Sequence, residues 1–199
     1  MTCTRYFAIG RGRVAGLAVA LLAALPFATS LSMPPSAAAT DLSQLLAPAS
    51  VCPNQAQPTA RRGLQIKAMV CMTNYARSQS ELATLSGVKS LFQAADRKAS
   101  DILRCDEFSH EACGREFTYW PKYFGYISGG CWTAAENIAW GSGPIGGVRA
   151  IFGAWLRSPG HRENILGRYA QIGIGLRFGT LEGNAGAHVW VQEFGSHKC

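Results

Sequence analysis

The first 39 residues constrain this chain most, because they predict that all that follows folds outside the cytoplasm. Three arginines give a positive start, and no acidic residue precedes Asp41. An apolar stretch over 14–25 follows, shorter than the roughly 20 residues that a membrane-spanning helix needs. Alanines at 37–39 offer small residues to a signal peptidase. We therefore expect a signal peptide over 1–39, cleaved before Thr40, and a secreted, extracellular product without a transmembrane anchor. The alternative is an uncleaved N-terminal anchor.

The cysteines support export independently. Removal of residues 1–39 from a chain of 199 leaves 160 residues, enough for one domain, and leaves six of the seven cysteines. An even count in a small exported domain indicates three disulfides, and six cysteines allow 15 connectivities. Cys105 and Cys113 are close in sequence and flank a loop, whereas Cys52 lies just before the first predicted helix and Cys71 falls on it. The third bridge follows by elimination. The predicted pairs are Cys52–Cys71, Cys105–Cys113 and Cys131–Cys199.

Hydrophobic periodicity places a lead-in segment at 40–60 before a domain at 61–199. The predicted helices are 88–105, 147–157 and 61–79, the last with Leu64, Ala68, Cys71 and Tyr75 on its inner face. The predicted strands are 171–178 and 187–194, and a hairpin-like connection over 179–184 joins them. The residues expected in the core are Ile151, Trp155, Ile172, Ile174 and Val189. Residues 106–135 lack a clean period and are expected to be mostly loop, with a short edge strand at 117–120. The last strand is apolar on both faces around Trp190, so both faces must be covered. These features predict an α+β domain with a small antiparallel sheet between helical layers.

Several classes of function are excluded by composition and spacing. The chain has 19 basic and 12 acidic residues, and loss of the three early arginines leaves 16 − 12 = +4. These charges are scattered, whereas nucleic-acid binding needs a clustered basic face. A Gly-x-Gly-x-x-Gly pattern at 141–146 does not follow a convincing strand, so it does not indicate a dinucleotide site. His110-Glu111 begins like a zinc-protease signature, but Gly114 stands where the second histidine belongs.

Three residues remain as candidates for chemistry: His110, Glu136 and His161. Two imidazoles and a carboxylate suit zinc with one coordination position left open. The same groups also suit acid–base chemistry. Each of them alone can equally be a hydrogen-bonded structural residue, and their spacing does not show that they meet.

The segments around these residues carry a resemblance to a known family. They read Glu-Phe-Ser-His at 107–110, Glu-Asn-Ile-Ala-Trp-Gly at 136–141 and Ser-Pro-Gly-His-Arg-Glu-Asn-Ile-Leu at 158–166, and Ile-Gly-Ile-Gly at 172–175 and Trp-Val-Gln-Glu-Phe-Gly at 190–195 follow. In this order, they resemble the bacterial branch of the CAP superfamily of cysteine-rich secretory, antigen 5 and pathogenesis-related 1 proteins, also called SCP-domain proteins. The resemblance runs from about residue 64 to 195. It implies an α-β-α sandwich whose central cleft gathers two histidines and two acidic residues around a divalent metal.

Carried over by motif, the metal ligands would be His110, Glu136 and His161. The second acidic residue of the family would stand at Ser158, where this chain departs from the pattern. Glu163 lies only two residues from His161, and residues so spaced do not face each other on a helix. We therefore expect zinc or another divalent metal to bind weakly.

The resemblance implies many unrelated roles, including sterol and lipid binding, and among them we favour a secreted binding or interaction module over an enzyme. Its cleft would take a small molecule, a lipid or a cell-envelope component, without nucleic acid as a partner. Fold alone does not establish catalysis in such a family. The alternative is a metal-assisted extracellular hydrolase, for example a protease, acting through His110, Glu136 and His161.

Overall fold

The computed structural model describes residues 41–197. Its helices are α1 (Arg62–Gln79), α2 (Lys89–Arg104), α3 (Tyr119–Tyr123), α4 (Val148–Arg157) and α5 (Pro159–Ile165). Its strands are β1 (Ser86–Gly87), β2 (Thr133–Ser142), β3 (Gln171–Leu181) and β4 (Asn184–Ser196). Short 3₁₀ helices occupy Leu42–Leu45, Ala112–Gly114 and Gly143–Gly146. The predicted signal peptide lies outside the described residues.

The strands form one sheet in the order β1-β3-β4-β2. The strand β4 pairs antiparallel with both β3 and β2, whereas the two residues of β1 run parallel to β3. The hairpin between β3 and β4 is tighter than predicted, because Glu182 and Gly183 both have positive φ and close it in two residues. The predicted α+β fold is confirmed, with a mixed rather than purely antiparallel sheet.

Helices cover both faces of this sheet. Trp190 packs among α1, α4 and α5, whereas Val189 and Val191 pack on the other side against α2. The prediction that β4 is covered on both faces is therefore confirmed. The predicted core residues are also buried: Ile151, Trp155, Ile172, Ile174 and Val189.

The three long predicted helices are confirmed, and the predicted inner face of α1 is right in part. Ala68 is buried, and Cys71 and Tyr75 pack against the core, but Leu64 is 40% exposed. The centre of the buried face lies one residue further along, at Met69, Met72 and Ala76. This face also includes the polar Gln65, which donates to carbonyls of the lead-in segment. Periodicity that counts only apolar residues does not detect such a face.

Two expectations for the middle of the chain were wrong. Residues 117–118 form a turn and residues 119–120 begin α3, so this stretch is not an edge strand. Residues 133–135, expected as loop, begin β2, which runs on to Ser142. The buried residues Glu136 and Asn137 interrupt the apolar pattern of that strand, which explains why it was missed.

The lead-in segment packs onto the domain. Leu45, Ala47 and Cys52 are buried against α1 and α4, and the Cys52–Cys71 disulfide fixes the segment to α1. The Cys105–Cys113 disulfide is also present, so both predicted short-range bridges are confirmed. Cys131 is disulfide-bonded as well. Its predicted partner Cys199 lies outside the described residues, and that pairing stays a prediction.

Within residues 41–197, no helix is long and apolar enough to cross a membrane.

Two glycines offer a matched test of this packing. A Cβ at Gly175 would lie 2.2 Å from the Ala95 carbonyl oxygen, so Gly175→Ala should destabilise the domain by about 1–3 kcal/mol. At Gly153, inside α4, the nearest atom would be the Arg157 Nη1 at an ordinary 3.4 Å. Gly153→Ala should therefore stabilise the domain by about 0.5–1 kcal/mol, because alanine loses less backbone entropy in a helix. Denaturant melts compare the two, and equal effects would contradict the close contact of α2 with β3.

Candidate functional site

The candidate site lies along β2, an edge strand of the sheet. Alternation along the strand points Glu136 and Asn137 to opposite faces. On the α2 side, Glu136 stands directly opposite Glu193 of β4. On the other side, Asn137 stands opposite Gln192 and donates a 3.1 Å hydrogen bond to its side-chain oxygen. The neighbouring residues Glu136 and Asn137 therefore place polar side chains on opposite faces of the sheet.

His110 contacts Glu136 directly. Its Nδ1 lies 2.7 Å from Glu136 Oε1, and its side chain is 51% exposed, whereas that of Glu136 is 1% exposed. The loop that carries His110 is fixed by Lys98 of α2. The Lys98 side chain is buried, at 1% exposure. The Lys98 ammonium donates to the carbonyls of His110 and Arg115. A buried carboxylate thus orients a half-exposed imidazole on an anchored loop.

Behind this pair lies a second buried carboxyl group, that of Glu193. It is fully buried, and neither of its oxygens nor Glu136 Oε2 accepts a hydrogen bond from a donor group in residues 41–197. Burial raises the pKa of Glu193 well above its usual range; the charge of Glu136 raises it further, and that of Lys98 opposes the rise. Two adjacent buried carboxylates cannot both ionise cheaply, so the neutral, protonated form of Glu193 is favoured.

His161 lies in α5, on the other side of β2. Its backbone carbonyl accepts a 3.1 Å hydrogen bond from the Asn137 side chain, and Asn164 donates to Asn137 Oδ1 at 2.9 Å. Burial lowers the pKa of His161, and the nearby charge of His110 lowers it further. Its Nδ1 is buried without a hydrogen-bond partner among the described residues. The imidazole is therefore favoured in its neutral form, close to His110.

A cleft of about 280 Å³ opens beside His161. Its lining is mostly apolar and aromatic, with Ser158 and His161 as the polar side chains. The lining residues are Phe108, Ile138, Ala139, Trp140, Ala154, Trp155, Ser158 and His161. Trp155 is fixed in this wall, since its indole N–H donates to the Ile138 carbonyl at 3.1 Å. The cleft therefore presents a rigid apolar surface with one imidazole.

The structure brings His110 and Glu136 into contact and places His161 nearby. Sequence reasoning missed Lys98 and Glu193, although Glu193 stands in the last segment of the resemblance. An acidic residue within an otherwise apolar strand is the signal that marks Glu193. Its position opposite Glu136 becomes visible only once the register of β2 and β4 is known.

The side chains as placed do not form a metal site. In the described part of the chain, no three or more His, Cys, Asp or Glu side chains are arranged to hold an ion. His110 directs its Nδ1 at Glu136, Glu193 is enclosed behind that carboxylate, and Ser158 offers only a hydroxyl. Metal binding would need these groups to rearrange, and it stays a prediction.

The layered α+β domain thus carries both its polar cluster and its cleft along one edge of the sheet. The model of the CAP family, described as the cysteine-rich secretory protein family, matches residues 70–194. The chain belongs to this family as a bacterial CAP/SCP domain. The matched range contains all the cluster and cleft residues described above.

Similar proteins agree with this assignment. The uncharacterized protein YkwD of Bacillus subtilis (strain 168) is 31% identical over 131 residues, which cover 64% of this chain and 46% of YkwD. The chain thus spans less than half the length of that relative.

Solved structures show the same fold. An extracellular protein containing an SCP domain from Bacillus anthracis superposes with a TM-score of 0.53 at 23% identity, over 65% of this chain and 39% of that one. An outer surface protein from Borrelia burgdorferi gives a TM-score of 0.56 at 19% identity, over 67% of this chain and 93% of that one.

Proposed function

We propose that this protein is secreted and works outside the cell as a non-catalytic binding module. The cleft beside His161 would take the apolar part of a small molecule, a lipid or a cell-envelope component. Export is supported by the disulfides and by the extracellular and outer-surface descriptions of two structural neighbours.

The observation that carries this proposal is the separation of the cleft from the carboxylates. The cleft wall is apolar apart from Ser158 and His161, whereas Glu136 and Glu193 are buried behind the sheet edge. A general acid or base must lie within about 3 Å of the proton that it transfers. Buried carboxylates that face each other do not meet that condition for a bound molecule, and an apolar wall with few polar groups is typical of a binding pocket.

Calorimetry with three defined probes tests the proposal: octyl glucoside, dihexanoyl phosphatidylglycerol and muramyl dipeptide. We expect saturable binding of at least one of them. Ala154 is exposed and lines the cleft, so Ala154→Trp should fill it and lower the affinity at least tenfold, about 1.4 kcal/mol.

Ala150→Trp is the matched control, because it makes the same change on the same helix outside the cleft. It should leave binding of octyl glucoside, the uncharged probe, intact. No binding of any probe, or equal loss in both variants, would contradict a ligand in the cleft.

A second candidate function is a metal-assisted hydrolase, and the His110–Glu136 contact favours it. A carboxylate that orients an imidazole is the arrangement in which histidine acts as a general base. A peptide and ester library, assayed with and without zinc, tests it against His110→Ala and His161→Ala. Turnover that both substitutions abolish would replace the binding proposal; silence across the library would eliminate the hydrolase.

Metal binding has its own test, zinc calorimetry on the wild type and on Ser158→Glu. We expect weak binding that the added carboxylate tightens, because it would supply the acidic group missing from the family pattern. His110→Ala should abolish it, since zinc favours imidazole ligands. Absence of heat with both wild type and Ser158→Glu would eliminate the metal site.

A further inference from the structure

A second cavity, of about 400 Å³, lies between the lead-in segment and α4. It shares no lining residue with the cleft beside His161. Its volume lies within the range of small-molecule pockets. The lining residues are Leu46, Gln55, Ala56, Pro58, Pro144, Gly147, Arg149, Ala150, Gly153 and Arg157.

Two guanidinium groups provide the charge of this cavity. Arg149 Nη1 donates to the Ala47 carbonyl at 2.8 Å and to the Gln55 side-chain oxygen, both neutral acceptors. Arg157 is exposed and lies near Gly153, one turn back along α4. Within residues 41–197, neither arginine has an acidic side chain within ion-pair distance. Two positive charges therefore face one cavity without a carboxylate to neutralise them.

The remaining wall is apolar and small. Leu46, Ala56, Pro58, Pro144 and Ala150 present no polar side-chain atom to the cavity. Gly153 adds depth, since a Cβ there would meet only Arg157 and Leu46. An occupant that satisfies both features needs an anionic head for the guanidinium groups and a short apolar body for the wall.

The lead-in segment that forms one side is held rigidly. The Gln55 side chain donates to the carbonyls of Ala47 and Cys52 at 3.0 Å. The backbone carbonyl of Gln55 accepts a hydrogen bond from the Arg149 backbone N–H at 2.9 Å. The Cys52–Cys71 disulfide closes the same segment onto α1. Such a wall loses little conformational entropy when a ligand binds.

We propose that this cavity binds a small amphipathic anion, a carboxylate or phosphate monoester that carries a short apolar chain. Guanidinium groups pair with both heads because their N–H donors match two adjacent oxygens. The site is independent of the cleft beside His161, so the two proposals can fail separately.

Calorimetry of the protein as secreted, with octanoate, octyl phosphate and 1-octanol, tests the head group. Both anions should bind saturably, and 1-octanol, which has the chain but no charge, should bind roughly tenfold more weakly. Affinity for the anions should fall with added salt, because the arginines are at the surface. The ratio of octanoate to octyl phosphate affinity identifies which head the site prefers.

Three variants locate the ligand. Arg157→Gln should weaken both anions roughly tenfold without affecting 1-octanol. Ala150→Trp should fill the cavity and abolish binding, whereas Ala154→Trp, which fills the other cleft, should change nothing. Melting curves show whether each variant is folded, and Arg157→Lys, which retains the charge but not the fork of donors, should give an intermediate affinity.

Three results would overturn the proposal. One is equal octanoate affinity in the wild type and Arg157→Gln. Another is loss of binding in Ala154→Trp but not in Ala150→Trp, which would place the anion in the other cleft. The third is the absence of saturable binding of either anion up to about 10 mM. The binding free energy would then be smaller than the roughly 4 kcal/mol that corresponds to a Kd of 1 mM.

Discussion

Trp155→Ala should lower the free energy of unfolding by about 3–5 kcal/mol, a large fraction of the 5–15 kcal/mol typical of a whole domain. Trp155 is 1% exposed and is one of the largest side chains in the core between the sheet and α1, α4 and α5. Its removal leaves a cavity that the rigid sheet cannot fill. It also removes the hydrogen-bond partner of the Ile138 carbonyl.

A denaturant melt at neutral pH measures this loss, and Trp155→Phe separates its two parts. Phenylalanine retains most of the apolar volume but has no N–H to donate, so it should cost about 1–2 kcal/mol. Tyr123→Ala is the control for aromatic truncation at a surface position, since Tyr123 is 68% exposed. A loss below about 1 kcal/mol for Trp155→Ala would show that α4 does not pack as described.

The sequence predicted the long helices and the β3–β4 hairpin because local patterns determine them. Leu91, Ala95, Ala99 and Ile102 recur on one face of α2, and all four are fully buried. The two short-range disulfides were predictable for the same reason, since each joins cysteines separated by fewer than 20 positions.

By contrast, β2 was not predictable, because its stability depends on partners that are distant in sequence. Asn137 is fully buried, and its side chain bonds to Gln192, 55 positions away, and to Asn164, 27 positions away. The Glu136 carboxylate is hydrogen-bonded to the imidazole of His110, 26 positions away. A window that examines only neighbouring residues finds polar positions there and predicts no strand.

The burial of two cationic side chains was not predicted from the sequence, for a related reason. Lys98 lies on α2 at 1% exposure, and its ammonium is satisfied by carbonyls of the loop that carries His110. Arg77, at 2%, donates to the carbonyls of Ala83, Ile165 and Gly167. Both residues read as surface positions in the sequence, yet each secures a loop that the periodicity leaves undefined.

The last prediction concerns the proton held by Glu193. In the unfolded chain, this carboxyl group titrates near its ordinary pKa of 4.5, whereas burial and the charge of Glu136 raise its pKa well above that in the folded protein. Between these two values, the folded state binds the extra proton. The free energy of unfolding therefore falls as pH rises, by up to about 1.4 kcal/mol per pH unit. Below pH 4.5, both states are protonated and this contribution is fully present.

Glu193→Gln should remove this dependence, because glutamine resembles the neutral acid in shape and does not titrate. The stability of the variant relative to the wild type should thus increase steadily as pH rises above about 4.5 and level off once the folded wild type loses its proton. His161 and His188, whose pKa values burial lowers, oppose the trend by destabilising the fold on acidification. They are common to both proteins and cancel in the difference.

Denaturant melts of the wild type and Glu193→Gln at several pH values between about 4 and 9 measure this difference directly. Glu136→Gln is the informative control: it removes the neighbouring charge but leaves Glu193 buried, so part of the slope should remain. Because the two carboxyl groups are adjacent, the titration belongs to the pair. Parallel pH profiles for the wild type and Glu193→Gln would mean that Glu193 is ionised in the folded protein. The buried proton behind His110 and Glu136 would then not exist.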